Sequence, residues 1–178
     1  MSLAWYPPIV LDRLFLDFST NKLRQLQTRI EACVARLSDD QLWTRGTENE
    51  NAIGNLMLHL SGNVRQWIIS GAGGQPDKRD RDSEFAARGS MSKAELMQRL
   101  SGAVDEAVAV LERVSAERLS QRVTIQKYEL SVLEAIAHSV EHFSMHTGQI
   151  IFATKMVTGE DLGFYRHLTT PQPTDKTP

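Results

Sequence analysis

The sequence lacks the features that define several large protein classes. Its 178 residues include one cysteine, so no internal disulfide can form. No apolar run approaches the roughly 20 residues that a membrane-spanning helix needs, so a membrane is not an expected partner. Residues 1–8 contain no basic region, and Asp12 and Arg13 interrupt the apolar stretch that follows, so no signal peptide is predicted. We therefore expect a cytoplasmic protein.

Neither positive nor negative charge is in large excess. The chain has 20 lysines and arginines against 22 aspartates and glutamates, and the basic residues are scattered. Nucleic-acid binding needs a positive surface that neutralises phosphates, so nucleic acid is not an expected partner. With 41% hydrophobic residues the chain can bury a core of its own. A metal ion would then be free to serve function.

Apolar residues recur at three- and four-residue steps, the period of an amphipathic helix, through four segments of the chain. These segments are residues 10–37, 52–69, 92–114 and 131–157. Capping boxes at Ser38, Ser92 and Ser131 predict where helices begin, the first of them a short turn ending near Gly46. Residues 122–129 contain β-branched side chains without a helical period, which predicts an extended connector.

Two segments have compositions unsuited to a core. Residues 71–90 are rich in Gly, Pro and alternating charge, which predicts a surface loop. The Pro-rich end of the chain, residues 169–178, is predicted to be disordered. We expect a single domain over residues 1–168, an all-α antiparallel four-helix bundle with a longer crossover between helices two and three.

Four of the five histidines lie on two of the predicted helices: His59 on the second, and His138, His142 and His146 on the last. Residues four apart on a helix lie one above the other and can bind one ion. Each such step advances about 40° around the helix axis, so one pair is expected to bind and not the trio. Small residues surround His142 and His146, so we favour this pair and place His138 at the rim or in solvent.

A third ligand has to come from another helix, and His59 is the remaining histidine on a long helix. Three imidazoles suit Zn²⁺ or Ni²⁺ and leave coordination positions open, as in catalytic metal sites. Glu141, Gln149 or Asn63 could orient the ligands.

Other interpretations of these residues stay open. His138-Ser-Val-Glu-His142 fits H-x-x-E-H, the inverted zinc-peptidase signature with Glu141 as general base, although such peptidases are much larger. The histidines could also be satisfied by ordinary hydrogen bonds in a purely structural domain. Cys33 lies in a helical pattern without a neighbour that would lower a thiol pKa, so we expect it to pack and not to react.

Two segments resemble the DinB/YfiT superfamily. They are residues 51–67, which contain His59, and residues 131–150, which contain His142, His146 and the Gly148-Gln149 step. The resemblance covers about residues 11–157, and residues 79–85 are similar to one branch of the superfamily.

This resemblance implies a four-helix bundle that holds a divalent metal, often Zn²⁺ or Ni²⁺, through His59, His142 and His146, and that frequently forms homodimers. Characterised relatives include metal-dependent transferases that use small thiols such as bacillithiol, mycothiol or glutathione, and a mycothiol-dependent isomerase. The implied function is a metal-dependent transferase or hydrolase that acts on a small electrophile with a thiol or water. The alternative is a noncatalytic bundle that binds metal or a partner, for instance in stress response.

Overall fold

Four long helices carry most of the buried apolar side chains in residues 11–169, the part of the chain that the computed structural model describes. They are α1 (Leu11–Val34), α3 (Ile53–Val64), α5 (Lys93–Leu111) and α7 (Val132–Thr158). α1 packs mainly on α7, and α3 packs on α5 and α7. The predicted four-helix bundle is confirmed. None of the described helices is long and apolar enough to cross a membrane.

The crossover between α3 and α5 returns the chain to the end of the bundle where α3 begins. Trp43, which contacts the start of α3, donates a hydrogen bond to the carbonyl of Met91 just before α5. Arg65 after α3 pairs with Glu106 near the end of α5. α3 and α5 therefore run in the same direction, as a long connection between them requires.

Shorter elements occupy the connections. They are α2 (Asp39–Trp43), α4 (Arg81–Ala86), α6 (Ala116–Ser120), strands β1 (Arg122–Ile125) and β2 (Tyr128–Ser131), and a 3₁₀ turn at Arg166–Thr169. The predicted tail at residues 169–178 lies outside the described residues apart from Thr169.

The three predicted capping boxes are present. At Ser38, Ser92 and Ser131 the hydroxyl accepts a hydrogen bond from the backbone N–H three residues later, and the Gln or Glu there bonds back to the serine N–H. These reciprocal bonds satisfy two N–H groups that a helix start leaves open. The helices α2, α5 and α7 therefore begin where the sequence predicts.

The second long helix changes type near its end. It is α-helical to Val64 and continues as a π-helical segment, Arg65–Ala72, in which the Gly73 N–H donates to the carbonyl of Ile68 at 2.9 Å. A Cβ added at Gly71 would overlap Ile125 of β1. The wider turn thus brings this helix against the strands. Apolar spacing predicts the extent of the helix but not this change of hydrogen bonding.

The predicted extended connector is part of an antiparallel hairpin. Val123 on β1 lies opposite Leu130 on β2, so the segment is extended as predicted and its two strands form a small sheet beside the helices. The turn residues Gln126 and Lys127 both have positive φ, 58° and 109°. Hairpin turns of this kind usually contain Asn or Gly, and neither is present, so the sequence carries no turn signal.

We expect the Ser92→Ala substitution to lower the free energy of unfolding by about 1 kcal/mol, because the start of α5 loses its side-chain cap. Urea denaturation followed by circular dichroism would measure the change. Ser101→Ala is the matched control, since this hydroxyl bonds to the Gln98 carbonyl within the same helix. It should change stability by less than about 0.5 kcal/mol, and equal effects of the two substitutions would contradict the capping role.

Candidate metal centre

Three imidazoles from two helices meet at one point. His59 lies in the middle of α3, and His142 and His146 lie one turn apart on α7. The Nε2 atom of His142 is 3.1 Å from that of His59 and 3.2 Å from that of His146. One nitrogen from each ring lies within 4.8 Å of the others. The structure thus brings together the three residues chosen from the sequence.

The two separations measured at His142 fit a shared metal ion. Two nitrogens that each bind a tetrahedral zinc ion at 2.0–2.1 Å are about 3.4 Å apart. The separations of 3.1 and 3.2 Å at His142 are close to this value. Imidazole nitrogen is also a ligand that both Zn²⁺ and Ni²⁺ accept. The residues present therefore suit the metal that the resemblance implies.

Hydrogen bonds alone leave this cluster unsatisfied. A neutral imidazole carries one N–H, so His142 Nε2 can donate to one of its two neighbours at most. His146 Nδ1 lies 2.6 Å from Gln149 Oε1, an acceptor, which leaves the lone pair of His146 Nε2 facing the cluster. His142 Nδ1 is buried and has no hydrogen-bond partner among the described residues. A cation at the shared point would satisfy the Nε2 lone pairs that protons cannot, whereas His142 Nδ1 stays without a partner among the described residues with or without the cation.

Burial keeps the imidazole rings of His142 and His146 uncharged. Burial lowers the pKa of His142 to about 3, and the repulsion that a proton on a neighbouring histidine ring would exert acts in the same direction. Burial also lowers the pKa of His146, although its hydrogen bond to Gln149 opposes part of that effect. Both imidazoles are therefore neutral near pH 7, which is the form that binds a metal.

The crossover loop supplies a carboxylate to the site. Glu84 of α4 is 5% exposed, and its Oε2 lies 3.0 Å from His59 Nδ1. Arg79 donates to both oxygens, from Nε to Oε1 and from Nη2 to Oε2, each at 2.8 Å. The prediction of a wholly surface loop was wrong at these residues, because a buried ion pair replaces the apolar contacts that the loop lacks.

A buried amide fixes this part of the loop to α3. Asn55 donates from Nδ2 to the carbonyls of Glu84 and Ala87, at 2.9 and 3.1 Å.

Burial alone would raise the pKa of the Glu84 carboxyl, but hydrogen bonds from Arg79 and His59 outweigh it and lower the pKa. The group is therefore a carboxylate at neutral pH. In the sequence, the single indication of a role for Glu84 was the likeness of residues 79–85 to one branch of the superfamily.

Of the three residues suggested as orienting groups, Gln149 contacts a histidine of the cluster. Asn63 instead accepts a hydrogen bond from Ser139 at 3.1 Å, and Glu141 is exposed. Glu84, which was not among the three, contacts His59 at Nδ1.

His138 lies apart from the three-ring cluster. Its ring contacts Trp67, with centroids 4.0 Å apart and ring planes tilted by 43°, and is 5.6 Å from the ring of His142. It is half-buried at the edge of the cavity described next, which agrees with its predicted place at the rim. The inverted zinc-peptidase interpretation needs His138 and His142 as a metal-binding pair, and the closer pair is His142 with His146.

A cavity of about 650 Å³ opens beside the cluster. His59 and His142 line one side of it, and the other walls come from the π-helical segment, the hairpin and α4. Residues on those walls include Trp67, Leu130 and Arg81. A small molecule in this cavity would reach two of the three imidazoles directly.

A family model described as a protein of unknown function, DUF1572, matches residues 11–173. The chain belongs to the DUF1572 family. No curated protein matches it at the level of sequence. Among solved structures, a conserved protein from Enterococcus faecalis superposes with a TM-score of 0.67 at 17% identity, covering 81% of this chain and 97% of that one.

Two further structures are similar to this DUF1572 chain. A DinB-like protein from Bacillus cereus has a TM-score of 0.64 at 14% identity, over 80% of this chain and 90% of that one. A mycothiol-dependent maleylpyruvate isomerase has a TM-score of 0.60 at 12% identity, over 76% of this chain. The chain spans 60% of the isomerase. These likenesses establish a DinB-like fold.

The cysteine lies away from the cluster, in the core. Cys33 is fully buried, and burial raises the pKa of its thiol.

We expect native protein to react with iodoacetamide at least about 100-fold more slowly than protein unfolded in urea, because reaction at Cys33 requires opening of the core. Mass spectrometry of timed samples would measure both rates. Similar rates in the two states would contradict this placement of Cys33.

Proposed function

We propose that this DUF1572 protein binds one divalent metal ion through His59, His142 and His146, and uses it to transfer a small thiol, or water, to a small electrophile. The proposal is carried by the convergence of three Nε2 atoms from two distant segments of the chain. Zn²⁺ and Ni²⁺ are the metals that this ligand set favours. When bound, such an ion acts as a Lewis acid that activates water or a thiol near neutral pH.

The protein's own residues would hold the rings and shape the space in front of them. Gln149 orients His146 through a hydrogen bond, and burial keeps His142 and His146 neutral. Trp67 and Leu130 form apolar walls that exclude water, while the exposed Arg81 offers a positive charge to an anionic group. The cavity volume of about 650 Å³ falls in the range of small-molecule sites.

Access to the cluster favours catalysis over a structural metal site. Structural zinc sites are closed by four protein ligands. Within residues 11–169 the group that could hold an ion contains three residues, and two of them face the cavity. The structural similarity to a mycothiol-dependent isomerase supports a thiol as one candidate nucleophile. The homodimer implied by the sequence resemblance stays a prediction.

We expect purified protein to bind one equivalent of Zn²⁺ or Ni²⁺, and the His142→Ala variant to lose at least about 100-fold in affinity. Loss of a direct ligand should exceed the roughly 10–100-fold that outer hydrogen-bond partners contribute. Chelator competition and elemental analysis would measure affinity and stoichiometry. His138→Ala is the matched control, because His138 lies one turn away on α7 outside the cluster and should leave affinity unchanged. Equal losses in both variants would contradict this ligand set.

Turnover can be tested with metal-loaded protein, a panel of small electrophiles, and bacillithiol, mycothiol, glutathione or water as the nucleophile. We expect a rate that a chelator abolishes and that His142→Ala lowers at least about 100-fold, because the activating ion is lost. Product formation followed by mass spectrometry would measure it. If none of the nucleophiles gives a metal-dependent rate, the enzymatic part of the proposal fails and the noncatalytic metal-binding alternative is favoured.

A further inference from the structure

We propose that Glu84 and Arg79 form a positioning pair that holds His59 with its proton on Nδ1, so that the Nε2 lone pair faces His142 and His146. The inference rests on the proposed metal function and names the residues that prepare the third ligand for it. Neither residue touches the shared point, so both act through His59.

The contacts at His59 Nδ1 favour this tautomer. Glu84 Oε2 lies 3.0 Å away and, as a carboxylate oxygen, can only accept. Arg79 Nη2 is also 3.0 Å from Nδ1, but oxygen acceptors lie near it, Glu84 Oε2 at 2.8 Å and the His59 carbonyl at 3.4 Å. The proton between His59 and Glu84 therefore belongs to the ring. Its other nitrogen, Nε2, is left as a lone pair 3.1 Å from His142 Nε2.

The ion pair is buried, unlike an ordinary surface salt bridge. The side chains of Arg79 and Glu84 are 3% and 6% exposed. Arg79 uses two nitrogens on the two carboxylate oxygens, and its Nη1 donates to Gln66 of the π-helical segment at 2.9 Å. Such a fork fixes the plane of the carboxylate as well as its position. The Glu84 carboxylate therefore contacts His59 at Nδ1, the ring nitrogen on the side away from the cluster.

The backbone of α3 leaves space for this arrangement. Gly62 lies three residues after His59, and a Cβ added there would overlap Glu84 Oε1. Asn55, on the same helix, holds the Glu84 carbonyl at 2.9 Å. The carboxylate therefore fits against α3 because residue 62 is glycine. An alanine at residue 62 would displace the Glu84 carboxylate without removing any charged or metal-ligand residue from the chain.

A tautomer measurement tests the positioning without any metal. Long-range ¹H–¹⁵N spectra of ¹⁵N-labelled, metal-free protein distinguish a protonated Nδ1 from a protonated Nε2 on His59. We expect protonated Nδ1 in the wild type. A protonated Nε2 would overturn the inference, since Arg79 would then be the donor to Nδ1. An ion pair that only stabilised the fold would not favour one tautomer of His59 over the other.

Metal affinity gives the second test. We expect Glu84→Ala and Gly62→Ala each to weaken Zn²⁺ binding by roughly 10–100-fold in a chelator competition, the usual effect of losing a partner that orients a ligand histidine. Asp82→Ala is the matched control, because it removes an exposed carboxylate from the same short helix and should leave affinity within about twofold. Circular dichroism would check that each variant is folded.

The outcomes separate this inference from the proposed function. A folded Glu84→Ala variant that binds Zn²⁺ within about twofold of the wild type would overturn the positioning role. Should Glu84→Ala unfold, Gly62→Ala still decides, because it retains both members of the buried ion pair and leaves neither charge without its partner residue. A wild-type protein that binds no metal would overturn the proposed function, while the tautomer of His59 would still support or refute the pair.

Discussion

The packing of α3 on α7 is the constraint on which the candidate site depends. Ring nitrogens of His59 and His142 can lie 3.1 Å apart only if the two helices keep one axial register. A slip of one helical turn would move them by about 5.4 Å and disperse the cluster. The buried hydrogen bond from Ser139 on α7 to Asn63 on α3 stabilises that register.

Burial has two effects at this site. Removing polar groups from water destabilises the fold unless each finds a partner, and Arg79 with Glu84 meets that demand for His59. The same desolvation lowers the pKa values of His142 and His146 and keeps their rings neutral. The burial that costs folding free energy therefore also keeps the imidazoles in the neutral form that binds a metal.

Three elements that differ from the sequence-based expectations surround the cavity. The π-helical segment contributes Trp67, the hairpin contributes Leu130, and α4 contributes Arg81. Each departs from regular helical or loop chemistry, through wide helical turns, positive φ angles or a buried ion pair. Local rules of sequence are most often broken at functional sites, so their clustering here supports a site and not merely a scaffold.

Apolar spacing and capping residues were sufficient to predict the four long helices and the starts of α2, α5 and α7, because these depend on interactions within a few residues of sequence. Four-residue spacing, together with the small residues around them, also selected His142 and His146. The meeting of these rings with His59, and the contact of Glu84 with His59, were decided by tertiary structure alone. Residues 83 and 25 positions apart become neighbours only when helices pack and a polar loop folds back, and no local pattern encodes that contact.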